Sequence, residues 1–448
     1  MKNKPDIGIG TIAGYGLGAL GNGLPWTLTS IFLLYFYTDI FGISPAAAGM
    51  LFLLTRIWDA INDPVVGHWV DRTRTRWGRF RPFMALAAVL IPVSLYLTFT
   101  SVNFGETGKL IYAYVTYIML GIGVTLINIP FHGIPKILTD CNRKRLWLVS
   151  GKQFGSLVGT LILVKGAKGF VERLGGGQVG YSRMALICAG VAFFSYLLLI
   201  WIIRKHDRME YYEEPRTVTH HTFLDSLKVL TANRPLVTLV IAQGTNLMAL
   251  IASQSAPIYF FKYNLKQPDA FGTFMMIRTL TTIVMVVAVP FIANRLGKRR
   301  TFITGTLISL IFPVALLTFR FTALPLIYSL SVITDLGFFM ASALSWTMVL
   351  DCADYAEHKT GRRADGIIMS AFTFSNKLGV ALGSAISGGL LAWFGYVANA
   401  EQQTPQALFG ILLMMTLLPI ISSIASLIAI HFYPLTDKQL DDIRGELN

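Results

Sequence analysis

The sequence predicts an all-α polytopic membrane protein, with about twelve transmembrane helices in two six-helix halves. Three observations carry that prediction. Of 448 residues, 54% are hydrophobic and only 14% charged, against about 25% charged in soluble domains, and the mean hydropathy is +0.57. Apolar stretches of about 20 residues, each long enough to cross a bilayer, recur along the whole chain. The basic residues behind the net charge of +14 gather in short loops between apolar runs, as in loops kept on the inner side of a membrane. That distribution argues against nucleic acid as a partner.

Taken in order, the opening MKNKPDIGIG has two lysines, but the apolar run after it is long and lacks a small-residue cleavage site, so it reads as a first span rather than a removed signal. That span covers residues 9–37 and is rich in glycine. A second covers 45–70, followed by DRTRTRWGRFRP, whose five arginines place it inside. Spans at 83–102 and 110–138 flank the outer turn SVNFGETGK, and the basic loop TDCNRKR returns the chain inside. Spans at 148–164 and 184–203 complete a first half, residues 1–205. Hydropathy then drops over RKHDRMEYYEEPRT, so 206–233 reads as an inner linker. A second half, 234–433, repeats the plan with spans at 235–261, 270–293, 302–319, 324–350, 366–394 and 407–432, and 434–448 reads as a short polar tail. Both termini fall inside, and the chain is expected to act as a monomer in a bacterial inner membrane. Cys141, Cys188 and Cys352 are scattered without metal-ligand spacing and read as free.

Residues 56–63, Arg-Ile-Trp-Asp-Ala-Ile-Asn-Asp, carry the chemistry. In a helix Asp59 and Asp63 stand one above the other, and Arg56, three residues before Asp59, shares their face. Ionised groups at bilayer depth cost several kcal/mol unless they pair or face a polar interior. The alternatives are a structural ion pair between helices and a cation or proton site lining a water-filled path. Two carboxylates beside a guanidinium can hold one proton, or offer oxygens to a small cation.

The string RIWDAINDPVVGHWVDRTRTRWGRFRP, with YFYTDIFG before it and YVTYIMLGIGVTLINIPFHG after it, resembles the glycoside–pentoside–hexuronide:cation symporters. This family of the major facilitator superfamily includes the melibiose and glucuronide permeases. The resemblance continues through DYAEHKTGRRADG, SAFTFSNKLG and YPLTDKQL. It implies a major facilitator fold, with substrate held near the midplane of the membrane. It makes Asp59 and Asp63 the cation-coupling carboxylates and retains a lysine of the eleventh helix as Lys377, set between cation and substrate sites. It also marks departures. Sodium-using melibiose permeases have a third acid just ahead of Ile-Pro-Phe, where this chain has Asn128. The galactoside-binding acid of their first helix falls on Gly23, beside Asn22. A fifth-helix arginine falls on Gln153, and a tryptophan after Ile-Pro-Phe falls on His132. An amide at 128 keeps an oxygen but removes a charge, which favours a proton over sodium as the coupling ion.

A sugar needs hydrogen-bonding groups and an aromatic face. Candidates are Asn22, Trp26, Tyr117, Thr125, Asn128, His132, Gln153, Asn246, Gln254 and Trp346, with Arg56 and Lys377 as charged members. Lys152 and Lys165, near the two ends of the fifth span, read as snorkelling side chains. Arg278, within the eighth span, has no acid in its own helix. Its partner is either an anionic substrate or Asp335 of the tenth span. Asp351 and Asp354 are expected to meet the Arg72–Arg81 or Arg362–Arg363 loops. Asp71, Arg72 and Arg76 match the loop signature of major facilitators and are the expected gating residues. The expected function is cation-coupled import of a glycoside by alternating access, proton-driven, with an acidic sugar such as a glucuronide as substrate and no cofactor. Alternatives are a sodium-coupled symporter of a neutral glycoside or pentoside, and a membrane sugar sensor. No metalloprotease or nucleophile-elbow motif supports an enzyme.

Overall fold

The computed structural model describes residues 7–139, 141–207, 233–360, 365–435, 439–440, 442–443 and 446, and the side chains at 60, 61, 64, 71, 136, 142, 143, 146, 168, 286, 287, 360 and 365–367 lie outside the described set. The chain divides into two compact units, Met1–Val218 and Thr219–Asn448.

Among the described residues, six long helices build the first unit: α1 (Ile9–Thr27), α2 (Pro45–Arg72), α3 (Arg81–Thr98), α4 (Glu106–Leu138), α5 (Asn142–Arg173) and α6 (Gly177–Ile203). The second holds α7 (Arg234–Tyr259), α8 (Ala270–Leu296), α9 in two segments (Lys298–Ser309 and Ile311–Phe319), α10 (Leu324–Thr360), α11 (Asp365–Trp393) and α12 in two segments (Pro405–Met415 and Leu417–His431). Among the described residues nine helices are long and apolar enough to cross a membrane, or ten with the bent α8. The charged α2 falls outside that set, as does α11. Several helices run well past their apolar windows. α10 extends to Thr360, so Asp351 lies inside the helix rather than at its end.

Helix starts follow local chemistry. Ser44 caps α2, accepting the amide of Ala47 at 3.3 Å, and Pro45 opens the first turn. Asn233 caps α7 through the amide of Leu236, with Pro235 in the first turn. Both α1 and α7 contain a proline late in the helix, Pro25 and Pro257. Three residues beyond each, the chain winds into a π turn, Leu28–Phe32 in one unit and Phe260–Asn264 in the other. The chain after α1 makes a second such turn at Phe36–Phe41.

Lipid offers no hydrophobic drive for helices to associate, so close backbone approach must supply it. α1 packs on α5 where a Cβ at Gly155 would overlap the carbonyl oxygen of Gly16. α7 packs on α11 in the same way, a Cβ at Gly379 overlapping the carbonyl of Gly244. The core of the second unit gathers Phe302, Met348, Ile368 and Phe372, and the apolar residues that follow α12 join it: Leu435, Leu440 and Ile443 are buried there. The stretch expected as a polar tail thus carries an apolar face.

Gly155→Ala should lower the thermal unfolding midpoint in detergent by the equivalent of about 1–3 kcal/mol of overpacking. Gly169→Ala on the same helix, where a Cβ meets nothing within 4 Å, should leave it unchanged or raise it.

Candidate cation and substrate site

In the first unit the polar residues of α1, α2 and α4 converge on a cavity of about 250 Å³. Its wall includes Asn22, Trp26, Thr29, Arg56, Asp59, Tyr117, Asn128 and Ser156. Helical spacing brings Arg56 onto Asp59, with Nη1 3.0 Å from Oδ2. The second arm of the guanidinium reaches across to α4, where Nη2 donates to the Tyr117 hydroxyl at 3.1 Å. Asp59 is only 5% exposed, and it fits against α4 because residue 121 is glycine. A Cβ there would stand 2.5 Å from Asp59 Oδ1. One turn along α2, Asp63 accepts a hydrogen bond from Thr125 Oγ1 at 2.8 Å. Asp59 is thus paired with a cation, and Asp63 is hydrogen-bonded by a hydroxyl.

The amides form the opposite wall. Asn22 Nδ2 donates to Asn128 Oδ1 at 2.8 Å, bridging α1 and α4. Tyr196 on α6 donates to the Gly21 carbonyl at 2.9 Å and steadies that stretch of α1. Asn22, Trp26, Arg56, Asp59 and Asn128 are thus assembled as one site, with Tyr117 joining them. His132 and Gln153 are exposed and are not among its lining residues. Lys152 places its Nζ 4.5 Å from the centre of the Phe131 ring, a cation–π contact rather than a snorkelling pose.

The second unit has its own ion pair. Arg278 on α8 meets Asp335 on α10 with both arms of its fork, Nε to Oδ2 at 2.7 Å and Nη2 to Oδ1 at 2.6 Å. Its Nη2 also lies 3.3 Å from the Ser253 hydroxyl on α7. Of the two partners considered for Arg278, the structure supplies Asp335. The other edge of the guanidinium is taken by Ser253, whose carbonyl accepts from Nη1 and whose hydroxyl faces Nη2, so the fork keeps no free edge for an anionic ligand. A small cavity of about 40 Å³ adjoins the pair, lined by Ser253, Ser309, Ser331, Thr334 and Ser423, room enough for a water. Lys377 is half-buried on α11. Asn246 is buried with Nδ2 lacking a hydrogen-bond partner, as is Gln254 Oε1. Trp346 is exposed, its ring edge against Phe372.

For Asp351 the structure supplies a cation that the sequence reading did not offer, and Arg362 and Arg363 lie outside the described residues. Asp351 is 1% exposed, and Lys298 holds both of its oxygens, at 2.6 and 2.7 Å. The cause is position: inside α10 it faces the start of α9, where a buried carboxylate needs a cation close by.

The loop after α2 is organised by a residue that sequence spacing did not single out. Asp207, just past α6 and fully buried, accepts the backbone amides of Arg79, Phe80 and Arg81 at 3.0, 3.1 and 2.9 Å. Arg81 also donates to the Asp207 carbonyl. Gly78, at φ +99°, is required, since a Cβ there would collide with Asp207. Asp207 thus caps α3 from a distance of over a hundred residues in sequence. Arg72 and Arg76 are exposed, and the side chain of Asp71 lies outside the described residues. Of the linker 206–233, residues 208–232 lie outside them too.

Long apolar helices, a polar cavity among them and ion pairs within the helical bundles define a membrane transport protein rather than an enzyme. The chain belongs to the MFS/sugar transport protein family, which it matches over residues 14–437. It is 33% identical to the isoprimeverose transporter of Lactiplantibacillus pentosus, over 94% of this chain and 87% of that protein. It is 30% identical to the glucuronide carrier protein homolog of Escherichia coli (strain K12), over 98% of this chain and 95% of that one. Among solved structures, a bacterial homolog of the human lysosomal transporter Spinster, inward-facing and unoccupied, matches with a TM-score of 0.67. At 14% identity, covering 94% of this chain and 95% of that one, the likeness is one of fold.

Arg278→Gln should destabilise the protein by about 3–5 kcal/mol, because it leaves Asp335 buried without its cation. The double variant Arg278→Gln/Asp335→Asn should recover part of that loss. Thermal unfolding in detergent measures both, and equal midpoints for the single variant and the parent would remove the pair from the stability of this unit.

Proposed function

We propose that the chain is a proton-coupled sugar symporter that imports an anionic glycoside, such as a glucuronide, by alternating access. The observation that carries the proposal is the Arg56–Asp59 pair in the wall of a sugar-compatible cavity. With Asp59 ionised, its carboxylate engages the guanidinium. Protonation removes that charge and releases Arg56 toward the cavity, where a planar guanidinium suits a substrate carboxylate. Proton and anionic sugar then bind together, and neither is carried well alone. The Trp26 indole supplies a face for the ring, and Asn22, Asn128 and Ser156 supply hydrogen-bonding groups.

A proton is favoured over sodium because hard cations want several oxygens at once. Here the Asn128 oxygen accepts from Asn22, and Asp59 faces a guanidinium. In this scheme Asp63, Lys377 and the Asp71–Arg72–Arg76 loop serve coupling and gating, with both termini inside a bacterial inner membrane and a monomer as the working unit. A second reading, a neutral glycoside or pentoside, is favoured by Arg278, whose fork is closed by Asp335, and by the likeness to an isoprimeverose transporter.

The test is uptake into proteoliposomes with proton and sodium gradients imposed separately, on glucuronides, galactosides and xylosides. Accumulation of a glucuronide on a proton gradient alone is the expected result. Sodium-driven uptake of a neutral sugar would overturn the proposal, and binding without accumulation would favour a sensor. Asp59→Asn should abolish gradient-driven accumulation while leaving glucuronide exchange between equal pools intact. Gly121→Ala, which crowds Asp59 without changing any charge, should shift the pH at which uptake is half-maximal; an unchanged pH profile would mean that the Asp59 environment does not set coupling.

A further inference from the structure

A second cavity, unrelated to the sugar site, lies in the second unit between the end of α8, the start of α9 and the middle of α10. It measures about 930 Å³. Among the described residues, the ionisable side chains in its wall are Arg295, Lys298, Arg299 and Arg300, with no acid among them. Asp351, outside the wall, pairs with Lys298. Arg299 donates through Nη2 to the His431 carbonyl at 2.6 Å, which fixes it, while its buried Nε has no hydrogen-bond partner. Arg295 and Arg300 are exposed and make no ion pair among the described residues. Like charges gathered around a concavity repel one another unless something negative shares it.

The backbone adds to the same field. α8 bends by 54° between Met285 and Ala288, and Gly297, at φ +82°, turns the chain into α9. The first turn of α9 carries no acid and no side-chain cap, so its amides and the positive end of its dipole add to the arginine charge. The helices on either side offer apolar surface. Phe291 on α8 is 70% exposed and Leu307 on α9 is 53% exposed. In a membrane-spanning chain such side chains meet acyl chains, and a basic hollow at the end of the same helices lies at headgroup level.

We propose that this cavity binds the phosphate of an anionic phospholipid, with the headgroup among Arg295, Arg299 and Arg300 and the acyl chains along Phe291 and Leu307. The phosphate oxygens would meet the guanidinium forks and the α9 amides, a geometry that a lysine cluster alone would not give. The lipid then braces the bent end of α8 against α9 and α10.

The test compares the purified protein in nanodiscs of phosphatidylcholine alone with nanodiscs that also contain phosphatidylglycerol. Phosphatidylglycerol should raise the thermal midpoint, and native mass spectrometry should find it retained on the protein. Arg295→Gln/Arg300→Gln removes two exposed charges that hold no ion pair among the described residues, so the variant should fold. Its affinity for phosphatidylglycerol should fall roughly thirtyfold. Equal midpoints in the two lipid mixtures would overturn the proposal, as would retention unaffected by the double substitution. Inorganic phosphate added to phosphatidylcholine nanodiscs is the remaining arm. Stabilisation by phosphate alone, with the same arginine dependence, would assign the cavity to a soluble anion and overturn the lipid.

Discussion

A charge cannot be left alone among apolar helices, and much of this protein's polar architecture follows from that constraint. Each unit meets it with an arginine on its second helix. Arg56 takes Asp59 from its own helix and Tyr117 from α4, whereas Arg278 takes Asp335 from α10 and leans on Ser253 of α7. The difference matters for chemistry. The first pair is held by a single arm at the edge of a cavity. The second is held by two arms beside a much smaller cavity, which suits a fixed strut. One device is therefore held by one arm in the first unit and by two in the second.

The same constraint governs the backbone. α1 with α5, and α7 with α11, come together through glycines that let carbonyl oxygens sit where side chains would be. Such contacts gain packing without asking lipid for a hydrophobic contribution. They also fix the heights at which Asn22 and Trp26 face the cavity, since Gly16 and Gly23 on α1 both pack against α5. Gly121 does for a side chain what these do for helices: it leaves the space that an Asp59 oxygen fills.

Much of this was legible in the sequence, because most of the signals are local. Apolar length gave the helices, the three-residue step gave Arg56 and Asp59 a common face, and the motif string gave the family. Contacts between distant segments were not legible. Asn22 and Asn128 were both candidates, yet their bond joins positions 106 apart, and no spacing rule reaches that far. Asp207 fell where charge and proline made a linker the natural reading, although its carboxylate caps α3. Leu435, Leu440 and Ile443 were hidden among polar neighbours, and only the core they enter reveals them. Helix ends were missed for a simpler reason. Hydropathy stops at the edge of the apolar window, but backbone hydrogen bonding continues through polar turns, as in α10.

The π turns that follow Pro25 and Pro257 carry a geometrical consequence. Each closes its ladder one residue later than an α turn does, so the side chains beyond it are rotated by roughly 100°, one step of an α-helix. Phe36, Tyr37 and Phe41 lie past the first of these turns and are all buried. Phase is thus a property of winding as well as of sequence. A helix end that exchanged π for α winding would turn a different set of side chains inward while keeping its backbone hydrogen bonded. Beyond Pro25 and Pro257, then, the faces of α1 and α7 are set by winding and not by residue spacing alone.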